Sequence, residues 1–192
     1  MNTGLKIWML CCLAGLSIVS CKSDYEKMVD RELSSGLRND TLFLGIKLGM
    51  GQKDFFEHCW EMNKQGYFIQ GSGNTSVKYE MSELKHPATM NFYPDFHDGK
   101  IYRMPVLFEY KNWSPWNQEL SADTLQLDVL RFLEQQYGPG FIRLENETGQ
   151  VVYTKVDGNR RIVLGKDPND KVRVVFSDLP LEQSLNNKDL KQ

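Results

Sequence analysis

A chain of 192 residues with 41% hydrophobic and 25% charged side chains has ordinary globular composition and enough length for one domain, or two small ones, with a real core. Its 23 basic and 25 acidic residues, formal net charge -2, alternate along the chain without a basic stripe. That argues against a nucleic-acid partner, whose binding draws on clustered cations that displace counterions.

The first segment, "MNTGLKIWMLCCLAGLSIVSC", differs from the rest. It carries one cation, Lys6, then an apolar run from Ile7 to Val19 and no acid, the charge and hydropathy order of a signal peptide over residues 1–20. A membrane span needs about 17 to 25 apolar residues, so this run is expected to be removed rather than to stay as an anchor. Ile18-Val19-Ser20-Cys21 resembles the lipobox of bacterial lipoproteins, with an aliphatic residue three before the cysteine and a small one directly before it. That resemblance implies a diacylglycerol thioether on Cys21, an acylated amine beside it, and so an essentially permanent attachment to membrane lipid. Lys22 follows where the common sorting pattern places aspartate for inner-membrane retention, so the resemblance points to the outer membrane and leaves its face open. Cys11 and Cys12 leave with the peptide. The mature chain then has 22 basic and 25 acidic residues, net -3. Cys59 is the one unmodified thiol left, which excludes an internal disulfide.

Residues 21–40 are charged, lack a regular apolar face and contain Ser34-Ser35-Gly36. They read as a lipidated cysteine and tether, reaching roughly 25 Å if coil-like. The folded body is expected from Thr41, with "TLFLGIKLG" as a strand and a helix from Gly51 to Gln65 ending at Gly66. "YFIQ", "SVKYEM", "ATMNFYPDF" and "KIYRMPVLFEYKNW" follow as strands. In the last, Tyr102, Met104, Val106, Phe108 and Tyr110 alternate with mostly polar neighbours, and Pro105, lacking an N–H, argues for an edge or a bulge. Ser121 is a candidate cap for a helix through Tyr137, with Leu125, Val129 and Leu133 along one side. Four strands come next, "FIRLE", "VVYTKV", "RRIVLG" and "KVRVVFS", joined by turn-forming "NETG", "DGN" and "KDPND". The tail from Leu181 is a weak helix or frayed.

Helix followed by four strands thus occurs twice. The expected fold is α+β, a tandem repeat of one helix packed on a four-stranded antiparallel sheet, with units at 41–113 and 114–192. This order resembles the beta-lactamase-inhibitor-protein-like fold and small outer-membrane lipoproteins of the SmpA/OmlA type. Gly49-Met50 resembles the helix entry of those lipoproteins and Tyr137-Gly138-Pro139 their helix exit, although Gly51 replaces the usual Thr or Ser.

Chemistry is sparse. His58 and Cys59 are adjacent on the first helix and so point about 100° apart, which places Cys59 with Phe55 and Met62 as an apolar residue rather than a nucleophile. Asp54, His58 and Glu61 share a helix face and form a weak three-ligand pattern, better read as a solvated face. "GSGNTS" lacks the lysine and helix of a phosphate loop. No G-x-S-x-G, H-E-x-x-H or paired C-x-x-C occurs. The expectation is therefore no catalytic set, no metal and no cofactor. Trp113 and Trp116, in the polar connection "KNWSPWNQ", either fold back between the two sheets or form a surface that takes an envelope protein or a glycan. Asp40-Thr41-Leu42 and Asp123-Thr124-Leu125 match an Asp-Ser/Thr-aliphatic O-glycosylation pattern, with Thr41 the better acceptor. The functional expectation is a membrane-anchored, non-catalytic binding or assembly module. The alternative is a hydrolase or small-molecule-handling protein with a site that shows no motif.

Overall fold

The computed structural model of the chain describes residues 22–71, 76–112, 114, 116–145 and 149–189. Over these residues it is an α+β protein with four helices and one antiparallel sheet of nine strands. The helices are α1 (Asp24–Ser34), α2 (Gln52–Lys64), α3 (Ala122–Tyr137) and α4 (Leu179–Asp189). The strands are β1 (Phe68–Gln70), β2 (Val77–Met81), β3 (Ala88–Phe92), β4 (Asp95–His97), β5 (Lys100–Tyr110), β6 (Ile142–Glu145), β7 (Val151–Asp157), β8 (Arg160–Asp167) and β9 (Lys171–Asp178).

Local chemistry accounts for most boundaries. Ser121 caps α3 by accepting from the Thr124 N–H at 3.4 Å, and Leu125, Val129 and Leu133, one turn apart, are all buried. Asp98 and Gly99, with φ of 47° and 70°, make the doubly left-handed turn whose twist suits a tight hairpin between β4 and β5. Strand β5 buries Ile101, Met104, Val106, Phe108 and Tyr110, four of them in strict alternation.

The sheet runs β1-β2-β3-β5-β9-β8-β7-β6, with β4 continuing the line of β3 along the other half of β5. The β5–β9 ladder from Arg103/Ser177 to Phe108/Val172 joins strands of both expected units into one sheet. One core cluster likewise contains Phe55, Phe92 and Phe108 together with Leu133, Leu164 and Phe176. Helices α2 and α3 cover this face. On the opposite face, α1 and the start of α4 make a second cluster of Met28, Val156 and Leu179, with Tyr25, Val29 and Leu33 around it.

Four segments depart from expectation, the first being "ATMNFYPDF", which divides at Tyr93-Pro94 into β3 and β4. "TLFLGIKLG" is a folded loop: Thr41 bridges Lys47, Leu44 turns at φ 48°, and Leu42, Ile46 and Leu48 are buried in the core. Its alternation is that of a strand, but the reversal at Leu44-Gly45 sends the apolar residues into one plug. Pro105 is in a central strand rather than an edge. It pairs with Val175 of β9, and on its other side it faces the break between β3 and β4, where neither strand offers it a ladder partner. The expected tether is ordered. Ser23 and Glu26 form a reciprocal capping box, Met28 is 4% exposed, and the Asn39 N–H donates to Asn159 Oδ1 at 2.7 Å. Its polar sequence hid this because a single buried methionine, set in a face of half-buried residues, carries the packing.

Candidate binding surfaces

Helix α2 divides the residues that looked most like chemistry. Phe55 is fully buried, while Cys59 and Met62 pack half-buried against the core. Burial pushes the Cys59 thiol up to about 11, so it stays protonated at neutral pH and is not an activated nucleophile. His58 turns away from it, bringing Nε2 to 2.7 Å from the Leu44 carbonyl oxygen. Asp54 and Glu61 are solvent-exposed, and Lys64 pairs with Glu61 at 2.9 Å. Among the described residues no group of three or more His, Cys, Asp or Glu side chains is placed to hold a metal.

The outer side of the same helix carries a different feature. Phe56 is 46%, Trp60 61% and Ile69 40% exposed, and they line one shallow groove of about 240 Å³ with Cys59, Asn63 and Val77. Tyr67, 55% exposed, stands at the entry to β1. Of the seven exposed large hydrophobics among the described residues, four therefore lie on α2, on β1 or, in the case of Tyr67, on the turn that joins them. Strand β1 is an outer strand of the sheet, paired with β2 alone among the described residues. Asn63 Nδ2 donates to the Phe68 carbonyl at 2.7 Å, occupying one edge acceptor with a side chain. Sequence reading missed the groove because Phe56 and Trp60 flank the buried stripe and read as its margin.

A second surface lies at the start of α3. A cleft of about 620 Å³ is lined by Asn117, Gln118, Asp123, Gln150, Lys166 and Asp167 among others. Lys166 Nζ spans it to Asp123 at 2.7 Å. The Arg173 guanidinium, 2.8 Å away, holds the Asp167 carboxyl below the usual carboxylate range. Trp116, 86% exposed, stands on the connection whose neighbours Ser114 and Asn117 line the cleft. Trp113 lies outside the described residues, and so does Cys21. Amide, ammonium and carboxylate groups beside an exposed indole suit a hydroxyl-rich ligand, since sugars combine polar edges with apolar faces.

Several other polar groups have structural partners. Tyr110 donates to the buried Asp128 at 2.5 Å, and Arg131 holds the other oxygen of that carboxylate at 2.7 Å. Arg160 lies 4.6 Å from the Tyr137 ring centroid and reaches Asp157 at 2.7 Å. It also donates to the Thr41 carbonyl. The Thr41 side chain is exposed, whereas the Thr124 hydroxyl is engaged with the Gln118 carbonyl at 3.3 Å. Among the described residues no helix is long and apolar enough to cross a membrane. No protein-family model, curated protein or solved structure matches the chain.

Proposed function

We propose that this is an outer-membrane lipoprotein, anchored through Cys21, whose body is a non-catalytic module that docks an envelope protein on the groove between α2 and β1. The observation that carries it is the clustering of Phe56, Trp60 and Ile69 on one surface. Exposed aromatics gathered at one place are costly to leave in water and are the residue types that dominate binding hot spots. The order of elements supports reading the body as a duplicated unit. Helix α2 precedes β1, β2, β3 and β5, α3 precedes β6 to β9, and each set runs from an outer strand to the centre of the sheet. On this reading the exposed Thr41 is a glycan acceptor.

A photo-crosslinking amino acid placed at Trp60 or Ile69 in intact cells should give a discrete protein adduct, and one placed at the exposed Lys188 should not. Trp60→Ala should weaken capture by about 2 kcal/mol or more at an unchanged melting temperature. No adduct from any groove position removes the docking surface. The anchor has a separate test: Cys21→Ala should lose metabolic fatty-acid labelling, and continued labelling refutes it.

A second reading is favoured by the α3 cleft: a glycan held between the polar lining and Trp116. It requires that Trp116→Ala abolish retention on immobilised envelope polysaccharide without altering stability. Retention equal to that of the unaltered protein excludes it.

A further inference from the structure

Lys22 and Ser23 leave almost no chain between the acylated residue and the fold. The Ser23 N–H donates to Glu26 Oε2 at 2.7 Å, the Glu26 N–H returns to Ser23 Oγ at 3.2 Å, and Lys22 pairs with Asp30. From there α1 is fixed to the body along its length. Tyr25 Oη lies 3.4 Å from Arg161 Nη1, Met28 is buried against Val156 and Leu179, and Glu32 Oε2 accepts from the Gly158 N–H at 3.3 Å. Beyond the helix, Arg38 pairs with Asp178 at 2.9 Å and Asn159 Nδ2 donates to Asp40 at 3.0 Å. Two residues, fully extended, span at most about 7 Å. A flexible tether of nineteen would average roughly 25 Å.

We infer that the layer formed by α1 and α4 rests directly on the phospholipid headgroups in a fixed orientation, with α2 and α3 turned away from the membrane. The inference rests on acylation of Cys21. The geometry follows from two facts: the chain enters the fold at the N-terminus of α1, and α1 and α4 lie on the sheet face opposite α2 and α3. The surface at that entry is a shallow groove of about 240 Å³ lined by Lys22, Tyr25, Glu26, Val29, Asp30 and Gln183. Acids and a lysine form its rim, with the half-buried Tyr25 and Val29 between them. That mixture of both signs suits the amine and phosphate of a zwitterionic headgroup, and Tyr25 is the amphipathic type that favours a membrane interface. Because α2 lies on the sheet face opposite α1 and α4, its groove is then free to meet a partner while the anchor is engaged.

The test uses the full-length acylated protein in vesicles of phosphatidylethanolamine and phosphatidylglycerol doped with headgroup-nitroxide lipid. In a Cys59→Ala background, a fluorophore is attached through Gln183→Cys beside the entry groove, or through Lys64→Cys on α2. Quenching at position 183 should exceed that at 64 several-fold, and a flexible Gly-Ser insert between Lys22 and Ser23 should remove most of the difference. Equal quenching at the two positions in the uninserted protein, with the protein bound to the vesicles, overturns the fixed orientation while leaving the anchor intact. Failure of the protein to float with the vesicles refutes the anchor itself, and the placement with it.

Discussion

Met28→Ala is the substitution that best separates a docked first helix from a tether. Met28 is 4% exposed and is one of three buried residues in the cluster that joins α1 to the sheet, with Val156 and Leu179. Truncating a buried methionine costs about 2–5 kcal/mol. The cluster is small and bordered by half-buried side chains that can close in, so the low end, about 2 kcal/mol, is the expected cost. A loss of that size need not unfold the protein, since helices packed by few residues open as separate units. The large cluster that holds α2, α3 and the sheet contains none of the three. The expected result is that amides of residues 27–34 exchange with solvent about 30-fold faster, at tenfold per 1.4 kcal/mol, with little change in β5, β8 and β9. Hydrogen exchange read by mass spectrometry, in parallel with a urea titration, measures both. If the α1 amides exchange at the same rate in the variant and the parent, Met28 is not what holds the helix. If they are unprotected in the parent, there is no docked helix.

Gly158→Ala should destabilise by about 1–3 kcal/mol in thermal melting, because φ is +59° there and an added Cβ would come 2.5 Å from the Leu37 carbonyl oxygen; an unaltered melting temperature would mean that residues 37–39 do not lie on this turn. Ser121→Ala should cost about 1 kcal/mol through loss of the α3 cap, and Ser121→Asp should restore most of it, whereas equal stability of all three denies the cap a role. Burial raises the Cys59 thiol to about 11 and the Tyr137 phenol to about 12. An unfolded chain releases these protons nearer pH 9 and 10, so the folded state holds them more tightly and stability should fall as pH rises from about 9 to about 12. The urea midpoint should drop over that window, less so for Cys59→Ala, and native Cys59 should react with a thiol probe about tenfold faster per pH unit up to about pH 11. A rate that levels off below pH 9 would show an activated thiol.

Before any tertiary information, local signals located α2, α3 and the strands of the second half. The reason is that caps, glycine turns and apolar spacing act within a few residues: Ser121 before Leu125, Val129 and Leu133, or Asp98-Gly99 between two alternating runs. They also separated Cys59 from His58, since helical spacing alone sets neighbouring side chains far apart. What they could not decide was anything that depends on what a segment meets. The alternation in "TLFLGIKLG" is compatible with a strand, and only the space between the helices and the sheet makes it a plug. Pro105 is tolerable in a central strand only because β3 ends and β4 begins opposite it. The charged run of residues 22–40 becomes a docked helix because Val156 and Leu179, more than a hundred residues later, supply the apolar floor for Met28. The candidate surface was half visible in the same way. The polar neighbours of Trp116 raised an exposed position beside a folded-back one without deciding between them, and the exposure of Phe56 and Trp60 depends on β1 being an outer strand, a property of the assembled sheet.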